Sequence, residues 1–171
     1  SGEDAENRMS IKKYKQNNVY PHIQGVIAIS EFVRNEIDFP KSSVIYNGCN
    51  HVPDLGTKSY NELSTNSSVS LKIGTLMRLG QLESSYKGNS FFLQLKEALE
   101  SEVPNIEWSI MGKGTKDDAK YFESRRVKVH LNAKDEEKFN FLRNLDIFVT
   151  CSFWEGFNLP LIEAEASGTL G

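Results

Sequence analysis

The sequence predicts an α/β fold built on a parallel sheet. Two observations carry that expectation. Short apolar runs rich in β-forming residues alternate with stretches whose apolar residues recur at helical spacing. The chain then closes on a strand, a glycine-bearing loop and a helix in immediate succession. In that last stretch, residues 146–151 are short, apolar and β-rich, which suits a strand buried on both faces. Residues 152–159 read as a loop around Gly156. Pro160 suits the first turn of a helix, where its missing N–H would have no partner anyway, and Gly168 stands just past the end of that helix.

The earlier elements follow in order. Residues 1–18 are polar and charged, with Ile11, Tyr14 and Asn18 or Val19 on one helix face. Residues 25–30 form a short buried strand, and Ser30 is the N-cap of a helix over 31–37 that Pro40 ends. Residues 43–46 are a second strand, and Asn47-Gly48 is a turn signal. Residues 50–68 carry Pro53, Gly56 and many Ser, Thr and Asn, and read as a linker; the Asn66-Ser67-Ser68 triplet is a sequon of the kind that arises by chance. A strand over 70–76 opens the next sheet. It is followed by a helix over 89–100 with Phe92, Leu95, Lys96 and Leu99 at helical spacing. A strand over 106–111 ends in Gly112-Lys113-Gly114. That pair lacks the third glycine of a dinucleotide-binding dehydrogenase. A short helix over 117–124 and a strand over 127–131 come next. The helix over 135–144 places Phe139, Leu142 and Leu145 on one face, and its charges on a solvated face.

Composition bounds the function. Hydrophobic content of 39% and charge of 25% are those of a soluble globular protein, not a disordered or membrane-spanning one. The net charge of −3 gives no reason to expect nucleic acid as a partner. Cys49 and Cys151 lie far apart without metal spacing; Cys151 reads as a buried thiol and the chain as cytoplasmic. No Asp-x-Asp follows a strand, and no His, Cys and carboxylate cluster has metal spacing, so no metal is expected. The first residues, Ser1-Gly2-Glu3-Asp4, are neither a signal peptide nor a natural initiator.

The terminal strand, loop and helix carry the chemistry. This geometry aims backbone N–H groups and the positive end of a helix dipole at the carboxyl edge of a sheet, where a phosphate fits. Glu155 in the loop and Glu163 in the helix flank the same spot, and carboxylates accept hydrogen bonds from hydroxyls. A ligand with both phosphate and hydroxyls, such as a sugar nucleotide, answers to that combination.

The run Phe153-Trp154-Glu155-Gly156-Phe157-Asn158-Leu159-Pro160-Leu161-Ile162-Glu163-Ala164 resembles the donor-site signature of retaining glycosyltransferases of family four, which have the GT-B fold. The resemblance covers residues 25–171, only part of a full enzyme. It implies a Rossmann-like parallel sheet, the donor half of such an enzyme. Residues 1–48 would be the tail of the N-terminal acceptor domain, 49–68 a linker, and 69–171 an incomplete nucleotide-sugar-binding domain. The family's Arg after the first strand and its Lys-Gly before the first helix are matched by Arg78 and Lys87-Gly88, which would grip the donor diphosphate. Two cations with backbone N–H groups stabilise the charge that grows on a departing diphosphate. Glu155 would hold sugar hydroxyls near the anomeric carbon, and Glu163 the ribose hydroxyls. The backbone around Gly156, Phe157, Asn158 and Leu159 would meet the diphosphate. Gly112 and Gly114 would lie near base and sugar, with the tight-turn explanation equally open, and Leu131 and Asn132 would touch the base through the backbone. A lone His at a strand end, His130, is more often structural than a base. Cys49 and Asn50 stand where the family has a small apolar residue and an Asp, and the stretch from Arg78 to Lys87 is longer than is common.

The expected partners are therefore a nucleoside-diphosphate sugar and a carbohydrate or lipid-linked hydroxyl acceptor, with no cofactor. Membrane association would come only through regions outside this sequence, at the inner face. The alternatives are a GT-B sugar-nucleotide epimerase and a non-catalytic nucleotide-sugar-binding module.

Overall fold

The computed structural model describes residues 2–56, 58, 70–80 and 85–171. Residues 57 and 59–68 of the expected linker, the Asn66 triplet, residue 69, and residues 81–84 between Arg78 and Lys87 lie outside the described residues. Contacts divide the chain into two units, Ser1–Gly48 and Cys49–Gly171.

The first unit holds helix α1 (Gly2–Asn18), strand β1 (Val26–Ala28), helix α2 (Glu31–Ile37) and strand β2 (Ser42–Val44). The strands pair in parallel, Val26 with Ser42 and Ala28 with Val44. Ser30 caps α2 as its position suggests: its Oγ accepts the Val33 N–H at 3.1 Å. The helix ends before Pro40, because Asp38 takes a left-handed φ of 53° and its N–H closes on the Arg34 carbonyl. Burial along β1 alternates: Ala28 is buried and Ile27 exposed, so this strand is not covered on both faces.

The second unit is a three-layer α/β/α domain. Strand β3 (Leu71–Leu76) leads to helix α3 (Asn89–Glu100), β4 (Ile106–Gly112) to α4 (Lys116–Glu123), β5 (Lys128–Leu131) to α5 (Asp135–Asn144), and β6 (Ile147–Phe148) to α6 (Leu159–Ala166). All pairings are parallel, in the order β5-β4-β3-β6. The chain thus winds outward from β3 to β5, then reverses to place β6 on the other side of β3. Beyond β6 the pairing continues, since Leu170 bridges in parallel to Ile147.

Alternation along the strands separates two cores. Ile73, Trp108, Ile110 and Val127 join Phe92 and Leu93 of α3 and Phe122 of α4 on one face. Phe92 meets Trp108 edge-on, with ring centroids 5.5 Å apart. Met111 and Phe148 join Phe141 and Leu142 of α5, Leu145 and Ala164 on the other. The helix spans 89–100 and 135–144 read from periodicity stand as expected. The strand expected over 146–151 is shorter: only Ile147 and Phe148 sit in the ladder, and Val149 adds a single N–H bond to the Gly74 carbonyl. The turn expected at Asn47-Gly48 falls later, where the Val52 N–H donates to the Cys49 carbonyl at 2.9 Å. Cys151 is buried, and burial pushes its thiol pKa up.

His130 sits against the Phe141 ring, centroids 5.0 Å apart. Burial first, then the Lys128 charge, lowers its pKa, with Glu137 acting the other way. The unfolded chain then binds a proton more readily than the folded one below the ordinary value of about 6.5. Stability is expected to fall as pH drops from that value towards the lowered one. Urea unfolding of His130→Gln should show a smaller fall than the parent between about pH 7.5 and 5.5; equal falls would refute the assignment.

Candidate functional site

In a doubly wound sheet, ligands bind outside the carboxyl ends of the strands where the order reverses. Here that point lies between β3 and β6. Residues 77–79 extend past β3, and their backbone still pairs with β4's extension: the Met77 N–H donates to the Met111 carbonyl and the Leu79 N–H to the Lys113 carbonyl. Met77 and Leu79 are buried at 5% and 0% exposure, so the extended alternation turns Arg78 outward. Among the described residues Arg78 has no hydrogen-bond or ion-pair partner.

Lys87 arrives by a different route. It ends a short 3-10 turn, Ser85–Lys87, and Gly88 then takes φ 76° as the N-cap of α3. A Cβ on Gly88 would lie 1.9 Å from the Cys151 carbonyl oxygen. That close approach sets the start of α3 directly against the end of β6. The Phe153 N–H then donates to the Tyr86 carbonyl at 2.8 Å, which stitches the two loops together. Their side chains meet: Lys87 Nζ lies 2.5 Å from Glu155 Oε1, each side chain about a quarter exposed. Asn89, buried at the start of α3, donates to the Leu79 carbonyl at 3.1 Å and so ties the segment carrying Arg78 to the same helix.

On the far side of the loop, Asn158 takes a left-handed φ of 52° and its amide donates to Thr150 Oγ1 at 3.1 Å. It opens α6 with Pro160 in the first turn, and Gly168 follows the helix with φ 81°. Glu163 is buried in this helix. Its Oε1 meets Lys138 Nζ at 2.7 Å and His51 Nε2 at 2.6 Å.

A cleft of about 340 Å3 opens at this edge. Arg78, Lys87, Lys113, Lys134 and Lys138 line it, with Asp135 the one acid among its described lining residues. Among the described residues, counting also Glu155 and Glu163, the acids paired to Lys87 and Lys138, cations exceed acids here by two in a chain of net −3. A larger hollow of about 550 Å3 lies on the sheet face beside Lys72, Glu107, Lys128 and His130. It sits towards the amino ends of the strands, so the reversal point favours the smaller cleft.

Arg78, Lys87, Glu155 and Glu163 therefore gather at one edge. Gly112 lines the cleft too, but its lack of a side chain has a reason in the protein itself: a Cβ there would lie 1.7 Å from the Met77 carbonyl oxygen. Gly114 is clamped by Asn132, whose Oδ1 accepts its N–H at 3.2 Å and whose amide donates to its carbonyl at 3.0 Å. The Leu131 side chain packs against the core, so any contact with a base falls to its backbone. His130 lines the other hollow. Sequence reasoning passed over Lys138 and His51. The signal for Lys138 lay in its place: the first turns of a helix that follows a parallel strand stand at the sheet's carboxyl edge. Among the described residues no group of three His, Cys, Asp or Glu side chains is arranged to hold a metal, and no helix is long and apolar enough to cross a membrane.

Comparison with curated proteins found no match. Solved structures do match. TarM aligns with a TM-score of 0.63 at 20% identity, over 96% of this chain and 31% of its own. A variant of S. aureus TarM in complex with fondaparinux, α-GlcNAc-glycerol and UDP gives 0.59 at 21%, over 88% and 29%. An E. coli trehalose-6-phosphate protein bound to UDP-2-fluoro glucose gives 0.58 at 12%, over 82% and 42%. The chain thus spans about a third of the TarM structures, and its fold is the Rossmann-like α/β fold of GT-B glycosyltransferases. Residues 74–170, more than half the sequence and the whole of the cleft-bearing edge, match glycosyl transferases group 1, and the chain belongs to that family.

Proposed function

We propose that this chain carries the donor site of a retaining glycosyltransferase of family four, which moves a sugar from a nucleoside-diphosphate sugar to a hydroxyl acceptor. The observation that supports this reading best is the clustering of Arg78, Lys87, Glu155 and Glu163 at the reversal point of the sheet, around a cleft where cations outnumber acids among the described residues. A diphosphate esterified at both ends carries two negative charges, which suits a cleft whose described lining is mainly cationic.

Arg78 and Lys87 face the diphosphate, and the amino end of α6 adds its dipole. Pro160 offers no N–H and the Leu161 N–H is turned back on the Asn158 carbonyl at 3.1 Å, so the amide contribution falls to Asn158 and Leu159. Glu163 accepts from the ribose, and Glu155 from the sugar being moved. Retention follows from attack on the leaving-group face. The acceptor oxygen bonds to the anomeric carbon, the bond to the diphosphate breaks, and the acceptor's proton passes to the departing phosphate. Side-chain cations meet the charge on the leaving group, so the reading asks for no metal or cofactor. The UDP and UDP-sugar bound by the similar structures make uridine donors the first to try.

A thermal-shift and calorimetric screen of UDP-, GDP- and ADP-sugars against the full-length protein tests this. One base is expected to bind, with stabilisation of about 2.7 kcal/mol at a hundredfold excess over Kd. Absence of binding by all three would overturn the proposal. Product analysis with an acceptor then separates transfer from epimerisation.

A further inference from the structure

Glu163 places its carboxyl group where almost no solvent reaches, with 3% of the side chain exposed. Two basic groups from separate parts of the second unit meet it, and both meet the same oxygen. Lys138 Nζ, from α5, lies 2.7 Å from Oε1, and His51 Nε2 lies 2.6 Å from that atom. His51 is also held from the side, its ring centroid 6.1 Å from that of Phe139 in α5. A carboxylate can accept about four hydrogen bonds across its two oxygens. Here the protein's donors crowd onto one, and among the described residues none reaches Oε2.

We propose that Lys138 and His51 are positioning residues that lock the Glu163 carboxylate in one orientation, so that its unshared oxygen takes the ribose hydroxyls of a nucleotide. The proposal rests on the reading of Glu163 as the ribose acceptor. With either donor gone, fewer contacts hold Oε1 and the carboxylate is freer to turn about its last torsion. The unshared oxygen then no longer sits in one place, and its grip on a diol weakens. Lys138 also lines the cleft, so a direct contact with phosphate is the rival role for it.

The two roles separate in sugar discrimination. Calorimetry on the full-length protein would compare UDP, GDP or ADP, whichever binds, with its 2′-deoxy form. The parent is expected to favour the ribose form by about tenfold or more, the scale of a hydrogen bond to a charged group. In Lys138→Met and in His51→Ala that preference should shrink to about twofold, and Lys138→Arg should restore much of it. His51 is half-exposed, so its variant decides the matter if Lys138→Met does not fold. Equal weakening of both nucleotides with the preference intact would overturn the positioning role and leave Lys138 to the phosphates. If Glu163→Gln alone erases the preference, the ribose reading stands and only the positioning role fails. If the parent shows no preference at all, both fall together.

Discussion

Replacing Lys87 or Glu155 with alanine in the full-length protein should lower turnover at least about a hundredfold, the scale of one transition-state contact. The two side chains form one ion pair, at 2.5 Å, but their losses act differently. Without Lys87, the charge that develops on the departing diphosphate loses a cation and faces Glu155 unneutralised. That contact strengthens as the bond breaks, so the effect should fall mainly on kcat and less on KM. Without Glu155, Lys87 stays available to phosphate, but the sugar loses its hydroxyl partner. Because the residues touch, the double variant should lose less than the two single losses combined. Steady-state kinetics with the cognate donor checks all three variants. Rates within tenfold of the parent would reject these roles.

The second large effect is on stability. Gly112→Ala should destabilise the second unit by about 3 kcal/mol or more, at the severe end of single substitutions. The added carbon would sit 1.7 Å from the Met77 carbonyl oxygen, which belongs to backbone and cannot swing aside. Relief requires the extensions of β3 and β4 to part, which would also break the Met77 and Leu79 hydrogen bonds that aim Arg78 into the cleft. Gly80→Ala is the matched control, since nothing lies within 4 Å of its added carbon and its φ is not left-handed. Thermal unfolding should put the Gly80 variant close to the parent and the Gly112 variant far below it. Similar midpoints would mean that the register at this edge is wrong.

Much of this architecture was legible in the sequence, for local reasons. The helices at 89–100 and 135–144 announce themselves by apolar spacing, and Ser30 by the chemistry of a cap. The fit was poorer where long-range pairing decides. Nothing in the β-rich run at 146–151 tells that only two of its residues find a ladder partner. At the site, the motif itself drew attention to Glu155 and Glu163. Their partners came from afar in the chain: Lys87 is 68 positions from Glu155, and His51 is 112 from Glu163. A helix's charges usually lie on its solvated face, and Lys138 departs from that by pairing with Glu163. Its pairing depends on how α5 lies against α6, which periodicity does not encode. The fold was thus easier to anticipate than the company each acid keeps.

The seam between the two loops bears on how a ligand would be met. Gly88 abuts the Cys151 backbone and Phe153 is tied to Tyr86, so the protein's own backbone contacts juxtapose the cation of one loop and the acid of the other. The loss of freedom needed to bring them together falls on folding, not on association, which favours affinity. It also makes the loops inseparable as modules. Transplanting either one into a homologous scaffold should carry over little, whereas exchanging both as a unit should transfer the paired charges intact.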